Sequence, residues 1–192
     1  MKKEIKFYQS IPAVALVTLF ILMVPFTAMQ FTDEVKWTAA DFILAGALLF
    51  GSGLSFVLAM RNATNIIYKA AIGLALGAMF FMIWANLAVG LIGKGPNPGN
   101  LMYIGVIAVG ISGIILSRLK PHGLAHTMYA MALALVLIAV IALNASMHQY
   151  PGSSMAEIIG VNGFFAILFS ISGLLFRFVA HDQSQRIEKS QG

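Results

Sequence analysis

The chain has 192 residues, 59% of them hydrophobic and only 10% charged. Soluble domains carry about 25% charged residues, so this composition excludes an ordinary water-exposed fold and leaves the lipid bilayer as the solvent. The formal net charge of +5 does not point to nucleic acid, because the basic residues sit at the ends of apolar stretches, where lipid headgroups lie.

Six apolar stretches, roughly 11–31, 40–60, 67–92, 101–119, 124–145 and 157–179, predict an all-α integral membrane bundle of six transmembrane helices. Each matches the ~20 residues that a helix needs to cross a ~30 Å hydrocarbon core. The loops are short, so residues 1–192 read as a single membrane domain. The first stretch follows a basic MKKEIKFYQS segment like that of a signal peptide. It is longer than a signal core and lacks a small-x-small cleavage site, which predicts an uncleaved first helix. Pro12 suits its first turn, and Pro25 should free the carbonyl of Ile21.

Ten of the twelve Lys and Arg residues fall on one side of the predicted path: Lys2, Lys3, Lys6, Arg61, Lys69, Arg118, Lys120, Arg177, Arg186 and Lys189. Only Lys36 and Lys94 fall on the other. This bias predicts that both termini lie in the cytoplasm. The spans also read as three hairpins. GSGLSFVLAMR (51–61), GISGIILSR (110–118) and SISGLLFR (170–177) share small residues followed by a basic one, and Asn86 and Asn144 occupy similar places in the third and fifth spans. A repeated hairpin would produce these matches, and so would the biased composition of membrane helices. Gly73 and Gly77 form a GxxxG pattern, which allows close helix packing.

Polar residues gather at the outer ends. MQFTDEVKWTAADF (29–42) holds Asp33, Glu34 and Asp41; WANLAVGLIGKGPNPGNLMY (84–103) holds Asn86, Asn100 and Tyr103; NASMHQYPGSSMAEIIGVNGFF (144–165) holds Asn144, His148, Glu157 and Asn162. A side-chain amide within the bilayer costs free energy unless it is paired, so Asn86, Asn144 and Asn162 should face the bundle interior. One reading is a periplasm-facing recess lined by Asp41, Asn86, Asn100, Tyr103, Asn144 and Asn162, with Asp33, Glu34, His148 and Glu157 as secondary candidates. The other is that the carboxylates cap helices, the aromatic residues form an interfacial belt and the amides tie helices together.

The chemistry the sequence supports is narrow. No cysteine is present, which excludes disulfide exchange, thiolate metal sites and iron–sulfur clusters. His126 and His148 lie at opposite ends of one span, about 33 Å apart by helical rise, and cannot hold a haem between them. Every lysine lies in a loop, in a tail or at a helix end, which does not suit a Schiff base, and no HExxH, P-loop or GxSxG motif occurs. A metal site built from Asp33, Asp41, His148 and Glu157 has no supporting spacing. No cofactor and no catalytic residue are therefore assigned. No span carries an ionisable residue near its middle, which argues against a carboxylate proton or sodium relay.

Three sets of outer segments together resemble a family of small six-span bacterial inner-membrane proteins. They are AMQFTDEVKWTAADF (28–42), WANLAVGLIG (84–93) with NPGNLMY (97–103), and YPG (150–152) with EIIGVNGFF (157–165). The resemblance implies six helices in a bacterial cytoplasmic membrane and no agreed activity. Members of that family commonly carry an acidic pair before the NP, where this chain has GKGP, which weakens any cation site in that loop.

Taken together, these features predict a protein that binds, and in one version moves, a small polar molecule or ion. A non-catalytic accessory or assembly subunit of a larger membrane complex is the alternative, and a lipid- or quinone-modifying enzyme a third reading. Partners would be the bilayer, a small polar ligand or ion, and a further copy or membrane-complex subunit, with no nucleic acid. For topology, a fluorescent protein fused after Gly192 is expected to be active and a periplasmic phosphatase reporter inactive; the reverse pattern would overturn the orientation.

Overall fold

The computed structural model describes residues 7–32, 34–61, 65–94 and 97–191. Asp33 and the basic residues Lys2, Lys3 and Lys6 lie outside the described residues. Among the described residues the fold is all-helical: α1 (Phe7–Phe31), α2 (Ala39–Met60), α3 (Ile66–Ala88), a short α4 (Pro98–Leu101), α5 (Tyr103–Ser117), α6 (Pro121–Asn144) and α7 (Met155–Gln191), with a 3-10 turn at Met147–Gln149. Among the described residues, six segments are long and apolar enough to cross a membrane: Ser10–Phe31, Ala39–Met60, Ile66–Ala88, Pro98–Ser117, Pro121–Asn144 and Met155–Arg186. The chain is a polytopic membrane protein. It forms two compact units, Met1–Asn62 and Ala63–Gly192.

The first unit is the α1–α2 hairpin. α1 starts earlier than its apolar run and continues through Pro12 and Pro25. Near Pro25, Thr27 Oγ1 lies 2.8 Å from the Met23 carbonyl and 2.9 Å from that of Val24, so its hydroxyl can serve either acceptor. The two helices approach where α2 has no side chain: a Cβ on Gly53 would stand 2.7 Å from Val14 Cγ1. Phe42 packs edge-on against both Phe26 and Trp37, at 6.4 and 5.2 Å between ring centroids. Elsewhere the hairpin shows large apolar side chains outward, as at Leu16 and Phe20, which suits a hydrocarbon surround.

In the second unit α7 is the central element. It packs against α3 on one side and α6 on the other, and α5 packs against α6. α3 and α5 scarcely touch, which leaves a gap between them. The buried core includes Met82, Val106, Met131, Leu135, Phe169 and Phe176. Ser172 Oγ donates to the Ala71 carbonyl at 2.9 Å and ties α7 to α3. At the α5–α6 turn, Tyr68 donates to the Leu119 carbonyl at 2.9 Å. Arg118 and Leu119 both take left-handed backbone there, with φ of 49° and 60°.

α7 has 37 residues, about 55 Å of helix, well beyond the thickness of a hydrocarbon core. The sixth apolar stretch ends at 179, and the helix continues beyond it to Gln191. Its polar turns are held by local pairs such as Arg186 with Asp182 at 3.0 Å.

Close approach between α5 and α6 depends on Gly113, where a Cβ would collide with the Thr127 side chain. Gly105 on the same helix has open space around it. Gly113→Val is therefore expected to destabilise the detergent-solubilised protein by about 1–3 kcal/mol, as overpacking does. Gly105→Ala should be neutral or raise the thermal midpoint slightly; equal effects at the two positions would refute this packing.

Candidate functional site

The apolar run that begins in α3 does not end where the helix does. α3 stops at Ala88, yet Leu91 and Ile92 are buried, at 5% and 0% exposure. The chain reaches them by turning back on the unit, and two glycines make the turn. Gly90 and Gly93 have φ of +80° and +67°, backbone that side chains with a Cβ adopt only at a cost. A Cβ on Gly90 would also come within 2.5 Å of the Gly93 carbonyl.

A turned segment at this depth has backbone N–H groups with no helical partner. Asn100 supplies one: its Oδ1 accepts from Leu91 N–H and Ile92 N–H, both at 2.9 Å. Asn97 Nδ2 donates to the Ile92 carbonyl at 2.7 Å, and Asn86 Nδ2 donates to the Asn100 carbonyl at 3.1 Å. Lys94 N–H donates to the Pro151 carbonyl at 2.8 Å, joining this turn to the α6–α7 connection. Asn97, missed as a candidate, thus belongs to the same lattice. Its position before Pro98 marked a helix start, and its bond to Ile92 was not legible.

Above this lattice the α3–α5 gap opens into a recess of about 670 Å³. Asn86, Asn100, Asn97 and Tyr103 line its polar part; Met82, Ile83, Leu87, Ile104 and Ile107 line the rest. Tyr103, 1% exposed, donates to Asn162 Oδ1 at 3.1 Å. Asn162, equally buried, spends its own N–H on the Ile158 carbonyl at 2.9 Å. The Oδ1 of Asn86 is buried and accepts no hydrogen bond. That oxygen belongs to a residue of the recess wall.

The other candidates lie elsewhere. Asp41 belongs to the first unit and closes a capping box on α2: Thr38 N–H donates to its Oδ2 at 2.7 Å, and Asp41 N–H donates to Thr38 Oγ1 at 3.3 Å. Asn144 does not face the interior as expected. It is exposed at the last residue of α6 and donates back to its own helix at the Val140 carbonyl, 2.9 Å away, so its N–H is engaged within α6. Glu34 is exposed. Glu157 is exposed in the first turn of α7, where a carboxylate suits the helix dipole, and its N–H donates to Ser154 Oγ at 3.1 Å. His148, in the 3-10 turn, has a buried Nδ1 without a hydrogen-bond partner. Among the described residues no three His, Asp or Glu come together as a metal-ligand group.

No family model matches the chain, and no curated protein or solved structure matches it either.

Asn100→Leu leaves two buried N–H groups without an acceptor, each costing about 1–3 kcal/mol. A clear fall in thermal midpoint is expected, whereas Asn100→Asp, which keeps an acceptor, should retain more of the stability. Asn144→Ala should change the midpoint little. A similar small effect for Asn100→Leu and Asn144→Ala would refute the loop lattice.

Proposed function

We propose that the protein is a non-catalytic binding protein of a bacterial cytoplasmic membrane, with both termini inside. Its recess at the outer ends of α3 and α5 would take a small molecule with one hydrogen-bond-donating end and an apolar remainder. The observation that carries this reading is the unpartnered Asn86 Oδ1 in a wall that is otherwise mainly apolar. A buried acceptor without a donor costs about 1–3 kcal/mol, a cost that a bound hydroxyl or amine would relieve. The same chemistry narrows the ligand. Asn100 Oδ1 and Asn97 Nδ2 are engaged by the loop, so the contact offered to a polar head is the Asn86 oxygen. The basic bias of the alternate connections supports the orientation.

The accessory-subunit reading has its own support in Gly77 and Gly105, which leave open space outside α3 and α5, where a partner helix could approach closely. Of the two, the recess accounts for the unpaired amide oxygen and the open glycines do not.

The test uses probes of equal chain length on detergent-solubilised protein: 1-octanol, octylamine and octyl methyl ether. The alcohol and the amine should raise the thermal midpoint more than the ether, because only they donate. Ile104→Trp, at a 59% exposed position on the recess wall, should abolish the difference while leaving the unliganded midpoint near that of the parent. Equal shifts from all three probes, or none, would remove the proposal.

A further inference from the structure

At the other end of the second unit, His122 and His126 stand four residues apart at the start of α6, a spacing that puts both on one helix face. Both are exposed. Their ring centroids are 4.6 Å apart, with the planes at 78°.

His126 Nδ1 lies 2.8 Å from the His122 carbonyl oxygen. A carbonyl can only accept, so Nδ1 carries the proton and Nε2 keeps its lone pair. Metal-bound histidines are oriented this way, one ring N–H held by a carbonyl while the other nitrogen binds the ion. The ring separation is also compatible. Two imidazoles in adjacent positions on one ion, with metal–nitrogen bonds of about 2.1 Å, place their centroids about 4.5 Å apart. The first turns of a helix give the pair a fixed backbone.

We infer that His122 and His126 form a two-imidazole site for a first-row divalent transition ion of the Ni²⁺, Cu²⁺ or Zn²⁺ class, completed by water. Imidazole nitrogen favours these ions over Mg²⁺ and Ca²⁺, which require oxygen ligands. A groove of about 600 Å³ between α5 and α6 runs beside His126, lined also by Ser112, Ser117 and Thr127, and leaves room for water ligands. This site is independent of the recess at the outer end.

The experiment uses chelator-treated protein purified without a polyhistidine tag. Calorimetric titration with Cu²⁺ or Ni²⁺ alone should show one ion per chain, undisturbed by excess Mg²⁺. His122→Gln and His126→Gln should each weaken binding by about tenfold or more, whereas His148→Gln and His181→Gln should not. The electron paramagnetic resonance spectrum of the Cu²⁺-loaded parent should show coupling to two imidazole nitrogens. That readout does not depend on how the variants fold. Coupling to one nitrogen or none, or binding that survives both α6 substitutions, overturns the inference.

Discussion

The structure depends on one constraint: inside hydrocarbon, every backbone polar group needs a partner within the protein. Helices meet it by themselves. The segment between α3 and α5 does not, because it leaves the helix at Ala88 while Leu91 and Ile92 remain buried. Asn100 resolves the conflict with a single oxygen that accepts two N–H groups, and Asn97 and Asn86 close the lattice around it. An apolar side chain at 100 would have suited the membrane better by transfer energy alone. It would also have left the turn without acceptors, a larger cost.

The same turn sets the geometry of the recess. Residues 89–94 and the short α4 come between α3 and α5 in the chain, and those two helices have little contact with each other. Elsewhere in the unit, contacts are close and depend on absent side chains: Gly110 against Met79 and Met131, Gly113 against Thr127, Gly173 against Tyr129. Lipid tails are as apolar as leucine, so dispersion at such close approaches, rather than exclusion from water, holds membrane helices together. Beyond the Gly110–Met79 contact, α3 and α5 leave the recess between them. Polar groups line part of the volume that remains there.

Six helices and their approximate limits were legible in the sequence because hydropathy over about 20 residues reports directly on burial in lipid. The errors are instructive. The third span was drawn to residue 92 because Leu91 and Ile92 are apolar, and a re-entrant turn buried in protein carries the same signal as a helix in lipid. The sixth was ended at 179 because polarity rises there, although polar helices continue when local pairs such as Asp182 with Arg186 support them. Asn86, Asn100 and Tyr103 could be grouped by depth alone, and the recess does bring them together. Asn144 has the same residue type at a similar depth, yet it serves the end of its own helix. Which of two equivalent amides turns inward depends on the last turn of each helix, and the pattern of hydropathy does not encode it.

Asn86 separates the two roles that the sequence left entangled. Its N–H end is structural, since it holds the Asn100 carbonyl at 3.1 Å. That bond also fixes which end of the amide faces which way, because exchanging them would oppose two acceptors. The oxygen is thereby held as an acceptor with no donor of its own. A purely structural amide would gain by pairing both ends, as Asn162 does through Tyr103 and Ile158. The difference between these two residues, alike in type and close in depth, is the physical basis for reading the recess as a binding site rather than a packing defect.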